Sequence, residues 1–141
     1  MRSLPLYDEA LLARARRPAG AGALLRPSAQ GRAENPLCGD AIDLDVRTVD
    51  GRIEELAHRT KGCALVTASA SLLAETSSEA TEAEALARAA ALRAWLSGDG
   101  PLPAELTPLE AVQVFPSRRR CVLLPWEALA SALSRPAATA R

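Results

Sequence analysis

Cys38 to Cys63 reads CGDAIDLDVRTVDGRIEELAHRTKGC, and the fold is decided there. Over residues 41–48 the chain alternates: Ile42, Leu44 and Val46 fall on one side, Asp43, Asp45 and Arg47 on the other. That period of two is a half-buried strand. Asp50-Gly51 follows, a hairpin signal, because both central residues of a type I′ turn need positive φ. The return strand runs through Ile53 to about His58. The first half therefore carries two or three antiparallel strands.

Outward from this hairpin the pattern becomes helical. On the N-terminal side, residues 4–16 read as a helix with Leu4, Leu6, Tyr7, Leu11 and Leu12 on its apolar side, ended by Pro18, Gly20 and Gly22. Residues 19–34 read as a Gly/Pro/Ser/Ala loop with only weak support for an edge strand. On the C-terminal side, Gly62-Cys63 opens "ALVTASASLLAE", a helix over 64–75. Thr81 and Glu84 form a capping-box pair for a helix that continues through Leu96 and ends at Gly98. Thr107, Pro108 and Glu110 suggest a short helix with an N-cap, an N1 proline and an N3 glutamate, closed by Phe115-Pro116. A last helix over 123–134 follows Cys121 and tolerates Pro125 only in its first turn. The tail, about 135–141, reads as frayed. A helix, then strands, then helices is the α+β order: a small antiparallel sheet in the N-terminal half packed by helices.

The chain has 141 residues, which fits a single domain over 1–141 with a modest core. Only Tyr7, Trp95, Phe115 and Trp126 are aromatic, so Leu, Val, Ile and Ala must fill that core. Formal net charge is +0, which argues against a nucleic-acid partner held by positive potential. No apolar run is long enough to span a membrane. The charged N-terminus lacks the apolar stretch of a signal peptide. Three widely spaced cysteines do not form a secreted disulfide framework. The expected compartment is the cytoplasm, where thiols more often bind metals or catalyse.

Those cysteines are Cys38, Cys63 and Cys121. Cys38 and Asp40 stand two apart at the start of a strand, where positions i and i+2 share a face, so a thiolate and a carboxylate can converge. Cys63 and Cys121 each precede a predicted helix, whose N-terminal end favours negative charge and lowers a thiol pKa. Tetrahedral zinc accepts three thiolates and a carboxylate; an iron–sulfur centre would use the thiolates. The spacing is not that of a compact zinc finger: there is no CxxC, and 24 and 57 residues separate the cysteines. The alternative is that each cysteine is a small buried hydrophobe.

Four segments, in order, resemble the IscU/SufU (NifU N-terminal-like) family of iron–sulfur cluster assembly proteins. LYDEALLARARRPAGAGAL (Leu6–Leu24) is similar to the family's first helix and loop, and NPLCGD (Asn35–Asp40) to its first cysteine motif. DGRIEELAHRTKGCALVTASASLL (Asp50–Leu73) resembles the hairpin and second cysteine, and FPSRRRCVLLPWEAL (Phe115–Leu129) the third. The resemblance implies that Cys38, Asp40, Cys63 and Cys121 bind zinc, as in SufU-type proteins, or a nascent iron–sulfur cluster, as in IscU-type scaffolds. Arg120, where IscU proteins carry histidine, and the long segment before Phe115 point to the SufU branch. Arg14 replaces a family histidine, Gly20 replaces an asparagine, and Pro125 follows Cys121 more closely than usual.

The expected function is a zinc-dependent sulfur acceptor and carrier. It would take persulfide sulfur from a SufS-like, pyridoxal-phosphate cysteine desulfurase and supply downstream iron–sulfur assembly proteins. By analogy Cys38 is the acceptor, helped by the freedom of Gly39, while Cys63, Cys121 and Asp40 retain the metal. The alternative is a scaffold holding a transient cluster on Cys38, Cys63 and Cys121; a weaker one is a structural zinc module without transfer activity. Three other features read blandly. His58 is expected to be a half-exposed strand residue, Arg118–Arg120 a solvated loop with some prospect of docking an acidic partner, and the serines of TASAS (Thr67–Ser71) packing residues rather than nucleophiles.

Overall fold

The computed structural model describes residues 8–134. In chain order they form α1 (Glu9–Arg16), β1 (Ala29–Asn35), β2 (Asp40–Val49), β3 (Arg52–Lys61), α2 (Ala64–Ser77), α3 (Glu82–Leu96), a 3-10 segment (Ala104–Val114), a 3-10 turn (Pro116–Arg118) and α4 (Arg119–Leu133). The three strands are antiparallel in the order β1-β2-β3. Helices α2 and α4 pack on the sheet, so the architecture is α+β. No helix among the described residues is long and apolar enough to cross a membrane.

The hairpin forms where its turn residues demand. Asp50 has φ 53° and Gly51 φ 78°, the two positive values of a type I′ turn. Ile42, Leu44 and Val46 are fully buried, as the alternation requires. The register then slips: Arg47 pairs with Glu55 but Thr48 with Ile53, leaving Glu54 as a bulged residue. An extra residue exchanges the faces of everything beyond it. Ile53 faces the core on one side of the bulge, and Leu56 and His58 face it on the other. His58 is therefore buried, against the expectation of half exposure. Its Nε2–H donates to the Ala19 carbonyl at 2.9 Å, and the Thr60 hydroxyl pairs with Nδ1 at 2.8 Å. Burial pushes its pKa down.

The segment expected as a loop contains β1. Its sequence, AQGRAEN, hides the strand because α4 lies directly on it and leaves room only for small residues. A Cβ on Gly31 would come within 2.1 Å of the Ala128 carbonyl oxygen and 2.7 Å of the Ala132 nitrogen. Ahead of β1 the chain runs beside β3, where Gly20 accepts from His58 N–H at 2.8 Å and Gly22 N–H donates to the His58 carbonyl at 2.9 Å. Gly20 has φ 79°, and a Cβ there would meet that of Ala74 at 2.7 Å. Leu24 N–H then reaches Oδ2 of the buried Asp45, on the face of β2 opposite Ile42, Leu44 and Val46, at 3.0 Å.

Other boundaries move for local reasons. Asp8 caps α1 by accepting from Leu11 N–H at 2.9 Å, so the helix begins at Glu9. Leu4, Leu6 and Tyr7 of the expected helix, and the expected tail 135–141, lie outside the described residues. The Thr81–Glu84 capping box is present, and α3 ends before Gly98, φ 89°. Thr107 is not an N-cap: its hydroxyl donates to Ala104 O at 2.7 Å inside a 3-10 segment that starts at Ala104. Helix α4 begins at Arg119, ahead of Cys121, and holds Pro125 in its interior. Proline has no N–H, so the usual bond from position 125 to the Cys121 carbonyl is missing.

Candidate functional site

Three elements bring three donor groups together. Asp40 opens β2, Cys63 is the N-cap of α2 and Cys121 lies in the first turn of α4. One ligand atom from each lies within 4.8 Å of the others, and Cys121 Sγ is 3.8 Å from Asp40 Oδ2. Asp40 and Cys121 are buried, while Cys63 is half-buried. Strand register sets the first two: Ala41 pairs with Lys61, so Asp40 stands beside Gly62, the residue before Cys63.

Gly62 makes that approach possible. A Cβ there would lie 2.8 Å from Asp40 Oδ1 and 3.0 Å from its Cγ. The sequence marked Gly62 only as opening the helix run with Cys63; its place between Lys61 and a cysteine was the only signal of a role in the site. Ser69 is a second residue it did not assign to the site. Its hydroxyl donates to the Val122 carbonyl at 2.7 Å and accepts from Trp126 Nε1–H at 3.0 Å. This buried clasp ties the first turns of α4 to α2, and so Cys121 to Cys63. The serines of TASAS are thus buried and hydrogen-bonded, Ser71 accepting from Ala19 N–H at 2.9 Å.

Cys121 departs from one expectation. A helix N-terminus favours a thiolate, but burial pushes this thiol up to about 11, and the nearby Cys63, Asp40 and Cys38 add to the rise. Desolvation and crowding of like charges outweigh the helix. A bound cation would reverse both effects. Two sulfurs and a carboxylate oxygen at this separation match the donor types of a tetrahedral zinc site with one position open.

Cys38 lies outside that 4.8 Å group, though near enough to add to the rise in the Cys121 pKa. It lies in the turn over 36–39 rather than on the strand, so it does not share a strand face with Asp40 as expected. Gly39, φ 76°, turns the chain between them. Cys38 is exposed; its neighbour Leu37 is 92% exposed. The Asn35 carbonyl accepts from Cys38 N–H at 3.1 Å and Gly39 N–H at 2.9 Å, closing the turn. Asn35 Nδ2 donates to Cys38 Sγ at 3.6 Å.

The arginine run is not a solvated loop. Arg118 closes the 3-10 turn, and Arg119 and Arg120 begin α4. Arg119 Nη2 donates to the Gln113 carbonyl at 2.9 Å, while Arg120 is exposed. At the other end of the molecule, Arg14 forms a forked ion pair with Glu75, 2.9 Å at its shortest.

Residues 6–135 match the family described as NifU-like N terminal domain. The iron-sulfur cluster assembly scaffold protein IscU of Streptococcus pyogenes serotype M1 is 36% identical over 107 residues, covering 73% of this chain and 67% of that protein. The zinc-dependent sulfurtransferase SufU of Bacillus subtilis is 25% identical over 134 residues, covering 92% and 90% of the two. Among solved structures, the N-terminal part of a nitrogen-fixing NifU-like protein from Brucella abortus superposes with a TM-score of 0.86 at 29% identity, covering 92% of each chain.

Proposed function

The chain belongs to the NifU-like N-terminal domain family, and from that premise we propose that it serves iron–sulfur cluster assembly as a zinc-dependent acceptor and carrier of sulfur. The observation that carries this reading is the division of labour among four residues. Asp40, Cys63 and Cys121 gather their donor atoms within 4.8 Å, while Cys38 stands exposed on its own turn. Three residues would hold the metal, and the fourth is free to meet a partner.

Zinc, when bound, keeps coordinating thiols deprotonated and neutralises the crowded donors. The transfer itself belongs to Cys38. Its thiolate attacks the outer sulfur of a persulfide on a pyridoxal-phosphate cysteine desulfurase. A bond forms between Cys38 Sγ and that sulfur, the partner's S–S bond breaks, and its electron pair leaves on the partner's cysteine as thiolate. The exchange is redox-neutral and needs no external oxidant. Leu37 supplies an apolar contact beside the reacting sulfur, and Arg120 a positive charge at the α4 end of the site.

The test is sulfur mapping with metal analysis. Protein purified without added metal should hold about one zinc per chain. After incubation with desulfurase and cysteine, one sulfur, about 32 Da by atomic mass, should appear on the Cys38 peptide. Cys38→Ser should abolish uptake and leave the fold intact. Asp40→Ala should keep zinc on the cysteines and alter transfer. A chain that folds without metal and ignores chelators would refute the metal assignment. The second reading, a scaffold on which a cluster is assembled, draws on the name of the streptococcal relative. Sulfur found only on Cys121 would favour it. No sulfur on any cysteine of a zinc-loaded chain would leave a structural zinc module.

A further inference from the structure

Asn35 ends β1 and is 4% exposed. Its backbone closes the turn that carries Cys38, through the two bonds to its carbonyl. Any residue would supply that carbonyl, so the turn does not explain the side chain. The side chain does something separate: Nδ2 donates to Cys38 Sγ at 3.6 Å, and Oδ1 is buried without a hydrogen-bond partner among the described residues. A buried acceptor left unpaired is destabilising. Its place next to the sulfur of Cys38 points to a partner that arrives during the reaction.

We propose that Asn35 is the positioning residue for sulfur transfer to Cys38, its amide N–H holding Sγ for attack and its free Oδ1 receiving the S–H carried in with the transferred sulfur. This rests on the reading of Cys38 as acceptor. The chemistry suits an amide, which carries donor and acceptor on one rigid plane. Before transfer, N–H donation fixes the Cys38 thiolate in one orientation. The new bond then forms between Sγ and the outer sulfur of the donor persulfide, while the donor's cysteine leaves as thiolate. The proton on the outer sulfur travels with it, and Oδ1 accepts that S–H. Asn35 neither gains nor loses a proton.

The experiment compares wild type with Asn35→Ala, which removes the amide, and Asn35→Asp, which keeps its shape but removes the N–H donor. Initial rates of sulfur uptake on Cys38 are measured against the concentration of this protein, with a pyridoxal-phosphate cysteine desulfurase and cysteine. Zinc content and thermal unfolding are followed in parallel. The expected result is a fall of about tenfold in kcat for both variants, the scale of a charge-assisted hydrogen bond, with KM within about twofold because Leu37 still meets the partner. A purely structural role would lower the folded fraction without this split. The Asn35 side-chain amide resonance should also move in Cys38→Ala. Unchanged kcat in the variants, a change confined to KM, or an unmoved amide resonance overturns the assignment alone. No sulfur on Cys38 of the wild-type chain overturns the transfer reading with it.

Discussion

Gly62→Ala separates the site from the fold. The added Cβ would sit 2.8 Å from Asp40 Oδ1, 3.0 Å from its Cγ and 3.3 Å from its Cβ. Gly62 is not at positive φ, so its backbone accepts alanine. All three close atoms belong to one side chain, and ordinary contact begins near 3.4 Å. The carboxylate must therefore retreat by roughly 0.6 Å, about three times the tolerance of ~0.2 Å on a metal–ligand distance. Disturbing a group that orients a ligand lowers metal affinity about 10–100-fold, or roughly 1.4–2.8 kcal/mol. The metal-free chain should behave differently. Replacing glycine by alanine at a compatible backbone stabilises by about 0.4–1 kcal/mol through the unfolded state, which offsets part of the local crowding. The assay is competition for zinc against a chromophoric chelator, with urea unfolding of both proteins after metal removal. Zinc affinity within about twofold of wild type would show that Asp40 does not hold the metal. Loss of more than about 2 kcal/mol in the metal-free form, on the scale of overpacking, would show that the clash is relieved by the backbone and not by the carboxylate.

Three further outcomes follow from the packing. Gly31→Ala places a Cβ 2.1 Å from a backbone oxygen of α4; the helix must lift from β1, and urea unfolding should show a loss of about 3 kcal/mol. Ser69→Ala strands the buried Trp126 Nε1–H, which should lower stability by about 1–3 kcal/mol, with a shift in tryptophan emission; no loss would mean that the clasp is not needed. The Asp45 carboxyl is held at about 2, below its usual 3.8, first by Arg59 and then by Gln30 and Leu24 N–H against the opposing effect of burial. A lowered folded pKa gives stability that is present above 3.8 and lost as pH falls toward 2. That amounts to about 2 kcal/mol, so wild type should lose more than Asp45→Asn when urea unfolding at about pH 5 is compared with about pH 2.

The sequence alone determined what depends on a few neighbouring bonds. Asp50-Gly51 must turn, because its backbone tolerates two positive φ values. Thr81 and Glu84 must cap α3, because their side chains reach each other's N–H groups. Ile42, Leu44 and Val46 must share a face, because strand side chains alternate. The four segments quoted above, three of them carrying the cysteines, identify the family from local sequence alone. Tertiary structure decided what depends on residues far apart in the chain. β1 exists although its sequence shows no apolar alternation, because α4 leaves room only for Gly31 and small neighbours. His58 is buried because the bulge at Glu54 exchanges the faces of β3, and Pro125 lies inside α4 because packing sustains a helix that local propensity would break. The site divides the same way. Motif order named four candidate residues, but not that the fold groups Asp40, Cys63 and Cys121 and leaves Cys38 outside that group. The local turn at Gly39 sets Cys38 off, while the register that sets Asp40 against Gly62 and the Ser69–Trp126 clasp join segments that meet only when the chain is folded.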